Sequence, residues 1–245
     1  TTVSSTNSLI GSTTGDVVGV VTALTNGNYV VTAPLWDNGG TVNVGAAAWG
    51  SGITGITGAI SASNALVGST AGDGYYVDGG GGGGVAIFDV VALTNGNYVL
   101  RAPFWDNGLD TNAGAVTWGN GTSGISGAIS TSNSMYGNDS DVIGYGSYSS
   151  DTNSYGNAGV VPLTNGNYVI VSPVWNGGRG AVTWANGTLT TNGVVGVGNS
   201  LYGSNITHAV GYNGVVALSN GNYVVKSGQW DNGVTRDAGA VTWGN

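Results

Sequence analysis

Leu24-Thr25-Asn26-Gly27-Asn28-Tyr29-Val30 returns as Leu93 to Val99, as Leu163 to Val169 and, with Ser219 in the threonine's place, as Leu218 to Val224. Asn-Gly between two apolar, β-branched runs is the strongest short-range hairpin signal, because both central residues of a type I′ turn need positive φ. Each occurrence predicts a tight antiparallel hairpin, as when Val90-Val91-Ala92-Leu93 folds back on Tyr98 to Pro103.

A longer phrase surrounds this core. Trp36-Asp37-Asn38-Gly39 follows the first hairpin; the element recurs at Trp105 and Trp230, and the third copy keeps it as Trp175-Asn176-Gly177. Next comes Ala-Val-Thr-Trp, ending at Trp118, Trp184 and Trp243, with Ala46-Ala47-Ala48-Trp49 in the first copy. All eight tryptophans fall at these two slots. Asn64, Asn133 and Asn199 each open a further segment after Trp49, Trp118 and Trp184. The same segment, Thr6-Asn7-Ser8-Leu9-Ile10-Gly11, stands before the first full copy, while Trp243 has only Gly244 and Asn245 after it. A fixed period of this length signals an array, a propeller or a solenoid. The split copy suggests a ring in which the segment Thr6 to Gly11 completes the last unit, either in cis or in trans from a neighbouring molecule.

Four short antiparallel strands per copy, repeated radially, is the plan of a β-propeller. The expectation is an all-β, four-bladed propeller of four-stranded antiparallel blades forming one domain over 1–245. Its copies run approximately over 13–68, 69–137, 138–203 and 204–245 plus 1–12. Glycine at 48 of 245 residues, a single lysine and no glutamate disfavour helix and suit strands joined by tight turns.

Charged residues make up 7% of the chain, against roughly 25% in ordinary soluble domains. The net charge of −8, with four Lys and Arg in all, speaks against nucleic acid. The absence of cysteine removes disulfides and thiolate metal sites. No run of about 18 apolar residues is present, which predicts no membrane insertion. The chain reads as a mature or trimmed secreted one. A single histidine, no cysteine and no glutamate leave few acids, bases or nucleophiles, so no enzyme is expected.

Leu93 to Trp118, with its Asn-Gly turn, Tyr-Val strand, Ala-Pro and Gly-Ala-Val plus aromatic, resembles the FG-GAP blades of integrin-type propellers. The Leu-Thr-Asn-Gly-Asn-Tyr-Val and Ala-Val-Thr-Trp-Gly-Asn-Gly motifs also resemble tandem repeats of unknown function in large bacterial adhesin-like and filamentous surface proteins. That second resemblance implies an extracellular or cell-surface location. The FG-GAP calcium loop is missing, since Thr-Asn-Gly-Asn and Ser-Asn-Gly-Asn turns carry no carboxylate.

Three groups of residues are candidates for binding. Trp36, Asp37, Trp105, Asp106, Trp175, Trp230 and Asp231 could present sugar-stacking rings and hydrogen-bonding carboxylates, although aspartate at a turn also caps its own backbone. Core packing is the favoured reading of the Ala-Val-Thr-Trp set, and an even choice for the Trp-Asp-Asn-Gly set. Two insertions break the period: one leads from Asp73 through Asp78 into Gly79 to Gly84, the other from Asn138, Asp139 and Asp141 to Asp151. Calcium is the one cofactor that Asp73, Asp78, Asp139 and Asp141 could hold. Asn120, Asn138, Asn186 and Asn205 match the N-glycosylation pattern.

The functional expectation is a non-enzymatic extracellular structural protein that assembles with itself into a fibre or surface layer. A monomeric adhesin-like or lectin-like propeller, binding glycans or a matrix protein, is the alternative.

Overall fold

The computed structural model describes residues 1–75, 88–149, 154–157 and 159–245. A short strand β1 (Leu9–Ile10) precedes four units. Unit 1 holds β2 (Val20–Ala23), β3 (Tyr29–Ala33), β4 (Ala46–Gly50), β5 (Gly58–Ala59) and β6 (Leu66–Val67). Unit 2 repeats the order with β7 (Asp89–Ala92), β8 (Tyr98–Ala102), β9 (Ala115–Gly119), β10 (Gly127–Ala128) and β11 (Ser134–Tyr136). A separate hairpin, β12 (Ser147–Ser149) and β13 (Ser154–Asn157), leads into unit 3. There β14 (Val160–Pro162), β15 (Tyr168–Ser172), the helical turn α1 (Trp175–Gly178), β16 (Ala181–Ala185), β17 (Gly193–Val194) and β18 (Ser200–Tyr202) follow. Unit 4 contributes β19 (Val215–Ala217), β20 (Tyr223–Ser227) and β21 (Ala240–Gly244). The expected scarcity of helix holds: α1 is four residues long, and Asn176 (φ 49°) and Gly177 (φ 69°) leave helical geometry inside it.

The signature hairpin differs from the expected type I′ turn. Gly27 N–H donates to Leu24 O at 3.1 Å and Leu24 N–H to Asn28 O at 2.8 Å, and in this turn only the glycine has positive φ (87°). This is a type I turn followed by a glycine bulge. Gly96, Gly166 and Gly221 repeat it at 91°, 88° and 89°. Asn26 therefore keeps an ordinary backbone, and while its Oδ1 accepts from Asn28 N–H in its own hairpin, its Nδ2 reaches out of it, which matters below.

A second difference concerns the fourth strand. The stretch Ala128 to Tyr136, which a four-stranded blade would use as one fourth strand, is divided in two by an asparagine: Ser130 N–H donates to Asn133 Oδ1 at 2.9 Å, and Asn133 Nδ2 donates to Ala128 O at 3.0 Å. The two pieces then serve different sheets. β11 closes its own unit against β9, antiparallel, whereas β10 runs parallel to β6 of the preceding unit. Unit 1 thus reads β10-β6-β4-β3-β2 and unit 2 reads β17-β11-β9-β8-β7.

This arrangement corrects the expected completion of the last unit in cis. β1 pairs in parallel with β5, Leu9 opposite Gly58 and Ile10 opposite Ala59, as β6 does with β10. It therefore occupies the closing-strand position of a unit ahead of unit 1. The sheet of unit 4 has three strands, β19-β20-β21.

The central strands are buried on both faces, β8 and β15 at all five positions and β3, β4 and β9 at four of five, whereas β21 of unit 4 alternates between half-buried and exposed residues. Among the described residues, one cluster joins Leu24, Val30 and Leu66 of unit 1 to Tyr98, Leu100 and Trp105 of unit 2. A second joins Leu93, Val99 and Val116 to Tyr168, Ile170 and Trp175, and a third joins Val169, Val171 and Val182 to Tyr223 and Val225. The remaining cluster covers the rear of unit 1, around Trp36 and Ala46, with Leu9 and Val18. Each cluster thus spans neighbours in sequence. Within each of the first three units the turn after the third strand lies so close to the signature hairpin that a Cβ on Gly121 would lie 1.7 Å from Gly96 O, and those on Gly52 and Gly187 would meet Gly27 O and Gly166 O in the same way.

Candidate functional site

The two tryptophan slots have opposite fates, the reverse of what turn and strand positions suggest. Trp36, Trp105 and Trp175, beginning the Trp-Asp-Asn-Gly turns, are 3, 3 and 4% exposed, and Trp230 is half-buried. Trp49 and Trp118 sit half-buried on the seam between units, while Trp184 and Trp243 are exposed. The candidate sugar platforms are therefore largely core residues, because the strand–turn corner folds back over the preceding unit. Trp105 Nε1 donates to Ser69 Oγ of that unit at 3.1 Å.

The turn aspartates cap backbone. Asp37, Asp106 and Asp231 accept from the N–H of Asn43, Asn112 and Asp237, each six residues on and each at positive φ (52°, 49° and 48°). At the first three of the four turns a second aspartate, earlier in the chain, locks the turn in place. Asp73 accepts from the N–H groups of Ser69, Thr70 and Asp106 at 2.6, 2.8 and 3.1 Å. The Thr70 hydroxyl lies 2.5 Å from Asp73 Oδ1 and 3.1 Å from Asp106 Oδ2, so one proton serves two carboxylates. Asp16 repeats this cradle with Ser12, Thr13 and Asp37.

Depth separates the two cradles electrostatically. Burial pushes the Asp73 carboxyl above its ordinary value despite the bonds from Thr70, Ser69 and Asp106. At Asp16 burial also pulls upward, but the bonds from Thr13, Ser12 and Asp37 outweigh it and the carboxyl lies below its ordinary value. The third junction uses Asp141, which accepts from Asn138 N–H and Asn176 N–H, both at 2.8 Å. The fourth replaces the aspartate by buried His208, whose Nε2 lies 3.8 Å from Asp231 Oδ2 and whose ring meets Trp230 edge-on.

The calcium candidates belong to this capping system. Asp73 lies at the junction of units 1 and 2; Asp139, which accepts from Thr111, and Asp141 lie at that of units 2 and 3. Asp78 is outside the described residues, as are Gly79 to Gly84 and Asp151. Among the described residues no group of three or more His, Cys, Asp or Glu could hold a metal ion. Asn138 and Asn205 are exposed, whereas Asn120 and Asn186 spend their side-chain oxygens on Thr122 and Thr188. No helix among the described residues is long and apolar enough to cross a membrane.

The residues that make the densest site were overlooked as candidates. They are the turn asparagines. Asn26 Nδ2, Asn28 Nδ2 and Trp49 Nε1 of unit 1 converge on one oxygen, Gly121 O of unit 2, at 2.8, 2.8 and 3.0 Å. Asn95, Asn97 and Trp118 converge in the same way on Gly187 O of unit 3, at 2.8, 2.9 and 2.9 Å. The bulged turn also receives: Gly96 O, Gly166 O and Gly221 O accept from Asn26, Asn95 and Asn165. Thr94 and Thr164 hydroxyls add bonds to Leu163 O and Leu218 O. The signal was present in the sequence, since Asn-Gly-Asn recurs without variation while a turn alone tolerates Asp or Ser at those positions.

In unit 4 this apparatus is exposed. Trp243 is 59% and Val241 74% exposed, and Val216 and Asn220 are exposed beside them. At the opposite end, unit 1 shows exposed Val21 and Gly27, with β1 at one side. The molecule thus carries a donor face at one end and, at the other, the turns whose counterparts accept.

No curated protein matches the chain at a significant level. A family pattern does, in tandem, over residues 1–20, 23–76, 92–145, 162–212 and 217–245, following the recurring hairpins. By that coverage the chain belongs to DUF5650, a family of repeats of unknown function.

Proposed function

We propose that this is a non-enzymatic, extracellular or cell-surface structural protein whose blade-like units form an open stack, and which assembles with itself into a fibre or surface layer. The reading rests on one observation, the donor face of unit 4. Its apolar residues and asparagine turn have the chemistry that is covered at the junctions of units 1 and 2 and of units 2 and 3, and large exposed apolar residues rimmed by polar groups mark interaction sites. A non-closing head-to-tail contact makes filaments. Low charge density supports close packing of copies, because like-charge repulsion between them is weak. No cofactor is needed for this role. Burial of Trp36, Trp105 and Trp175 weighs against the glycan-binding or matrix-binding alternative, which would rely on exposed rings.

Light scattering across a concentration series, with negative-stain imaging, tests the proposal. Particles that lengthen with concentration are expected. A 24.2 kDa monomer at every concentration would overturn it.

A further inference from the structure

We infer that the assembly contact is strand completion in trans: β1 of one copy becomes the fourth strand of unit 4 in the next. This rests on the self-assembly reading above and specifies its partner, a second copy, and its register.

The two edges are complementary vacancies in one pattern. In units 1 and 2 the closing strand has two neighbours, β6 lying between β4 and β10 and β11 between β9 and β17, while β18 of unit 3 pairs with β16 alone. β1 has the parallel neighbour, β5, bonded through Gly58 N–H to Ser8 O and Ile60 N–H to Ile10 O, both at 3.0 Å, but among the described residues pairs with no antiparallel one. Among the described residues β21 has its inner neighbour, β20, but no outer one. What β1 lacks is what β21 offers. Strand addition of this kind uses the ladder bonds of an open edge.

The internal units also fix the register. β9 meets β11 with Thr117 opposite Ser134, and β16 meets β18 with Thr183 opposite Ser200; in both pairs the hydroxyl oxygens lie 2.7 Å apart. Thr242 of β21 stands where Thr117 and Thr183 stand, within the same Ala-Val-Thr-Trp. Ser8 stands where Ser134 and Ser200 stand, after the same asparagine, and already makes their local bond: Ser8 Oγ to Asn7 Oδ1 at 2.9 Å, as Ser134 does to Asn133 and Ser200 to Asn199. The trans pairing therefore places Thr242 opposite Ser8, Val241 opposite Leu9 and Ala240 opposite Ile10. The same seating brings Asn220, Asn222 and Trp243 to Gly52 O of the second copy, the equivalent of Gly121 O.

β1 is held ready for this. The Asp16 cradle pins the segment behind it to Asp37 of unit 1, as the Asp73 cradle pins unit 1 to unit 2, so β1 is carried on the first unit and presented at its edge.

The chain has no cysteine, so an introduced pair reports pairing without background. The test is the double variant Ser8→Cys, Thr242→Cys, oxidised at a concentration where the parent assembles and resolved on a non-reducing gel. A control carries Ser8→Cys with Val241→Cys, one residue out of register and on the opposite face of the strand. The expected result is a ladder of covalent multimers from the first variant, at least tenfold stronger than from the control. Assembly by light scattering without a ladder, or with equal ladders, overturns the inference and leaves the self-assembly reading standing. Monomers throughout overturn both. A monomer-sized band with its thiols consumed means closure within one chain and overturns trans completion.

Discussion

Ala115-Val116-Thr117-Trp118-Gly119 and Ala240-Val241-Thr242-Trp243-Gly244 are the same five residues in the same strand of two units. In unit 2 the valine is fully buried and the indole donates to Gly187 O of the next unit; in unit 4 both side chains are exposed. Local sequence builds the strand in both places, but only a neighbour makes it core. Stability in such an array is a sum of unit terms and nearest-neighbour terms, and here the neighbour terms can be read residue by residue, because one end goes without them.

The comparison is tested most severely by the tryptophans. Trp105→Ala, at an internal junction, is expected to lower unfolding free energy by about 3–5 kcal/mol. Trp243→Ala should change the dilute monomer by no more than about 0.5 kcal/mol while weakening assembly. Urea unfolding followed by circular dichroism measures the first and concentration-dependent scattering the second. Equal losses in the monomer would show that unit 4's outer face is covered by something else.

A smaller effect separates the asparagines. Asn95→Ala removes donation to Gly166 O and Gly187 O and is expected to cost about 1–2 kcal/mol. Asn220→Ala loses only the local bond from Asn222 N–H, which Asn95 also makes from Asn97 N–H. The difference between the two variants in urea unfolding is thus the inter-unit share. A difference near zero would mean that the ladder of asparagines contributes no stability.

The pH dependence is the finest test. Asp16 is more acidic folded than unfolded, so its contribution is present above the unfolded value and is lost as pH falls through the folded one. Asp73 is less acidic folded, so it takes up its proton first in the native state, and acidification through its folded value favours folding. Between about pH 5 and 3, Asp16→Asn should flatten the acid loss of stability and Asp73→Asn should steepen it. Urea midpoints over that range give both slopes; slopes of the same sign would contradict the contrast in depth.

How much was legible follows from what a single unit contains. Hairpins, strand positions and their repetition are local, and the Leu24 to Val30 phrase and the glycines display them. What was lost lay between units. Asn26 looked like a turn residue because its partners, Gly96 and Gly121, are 70 and 95 residues away. The segment around Asn133 looked like one strand because nothing local says that β10 leaves for the previous sheet. Trp36 looked available because it begins a turn, and only the stacked neighbour closes over it. The closing position of β1 was legible; that it docks on β5 was not, since parallel pairing across units leaves no spacing signal.

The short parallel strand has a mechanical consequence. Gly127 N–H holds Ala65 O at 3.0 Å and Ile129 N–H holds Val67 O at 2.9 Å, and β1 and β5 repeat the clasp. Tension passed along the chain is therefore borne at the joints of units 1 and 2 and of units 2 and 3 by backbone bonds as well as by apolar faces, and the two must give way together. Units clasped in this way would part in discrete, unit-sized steps under load rather than stretch gradually, and copies joined by the proposed strand completion would do the same.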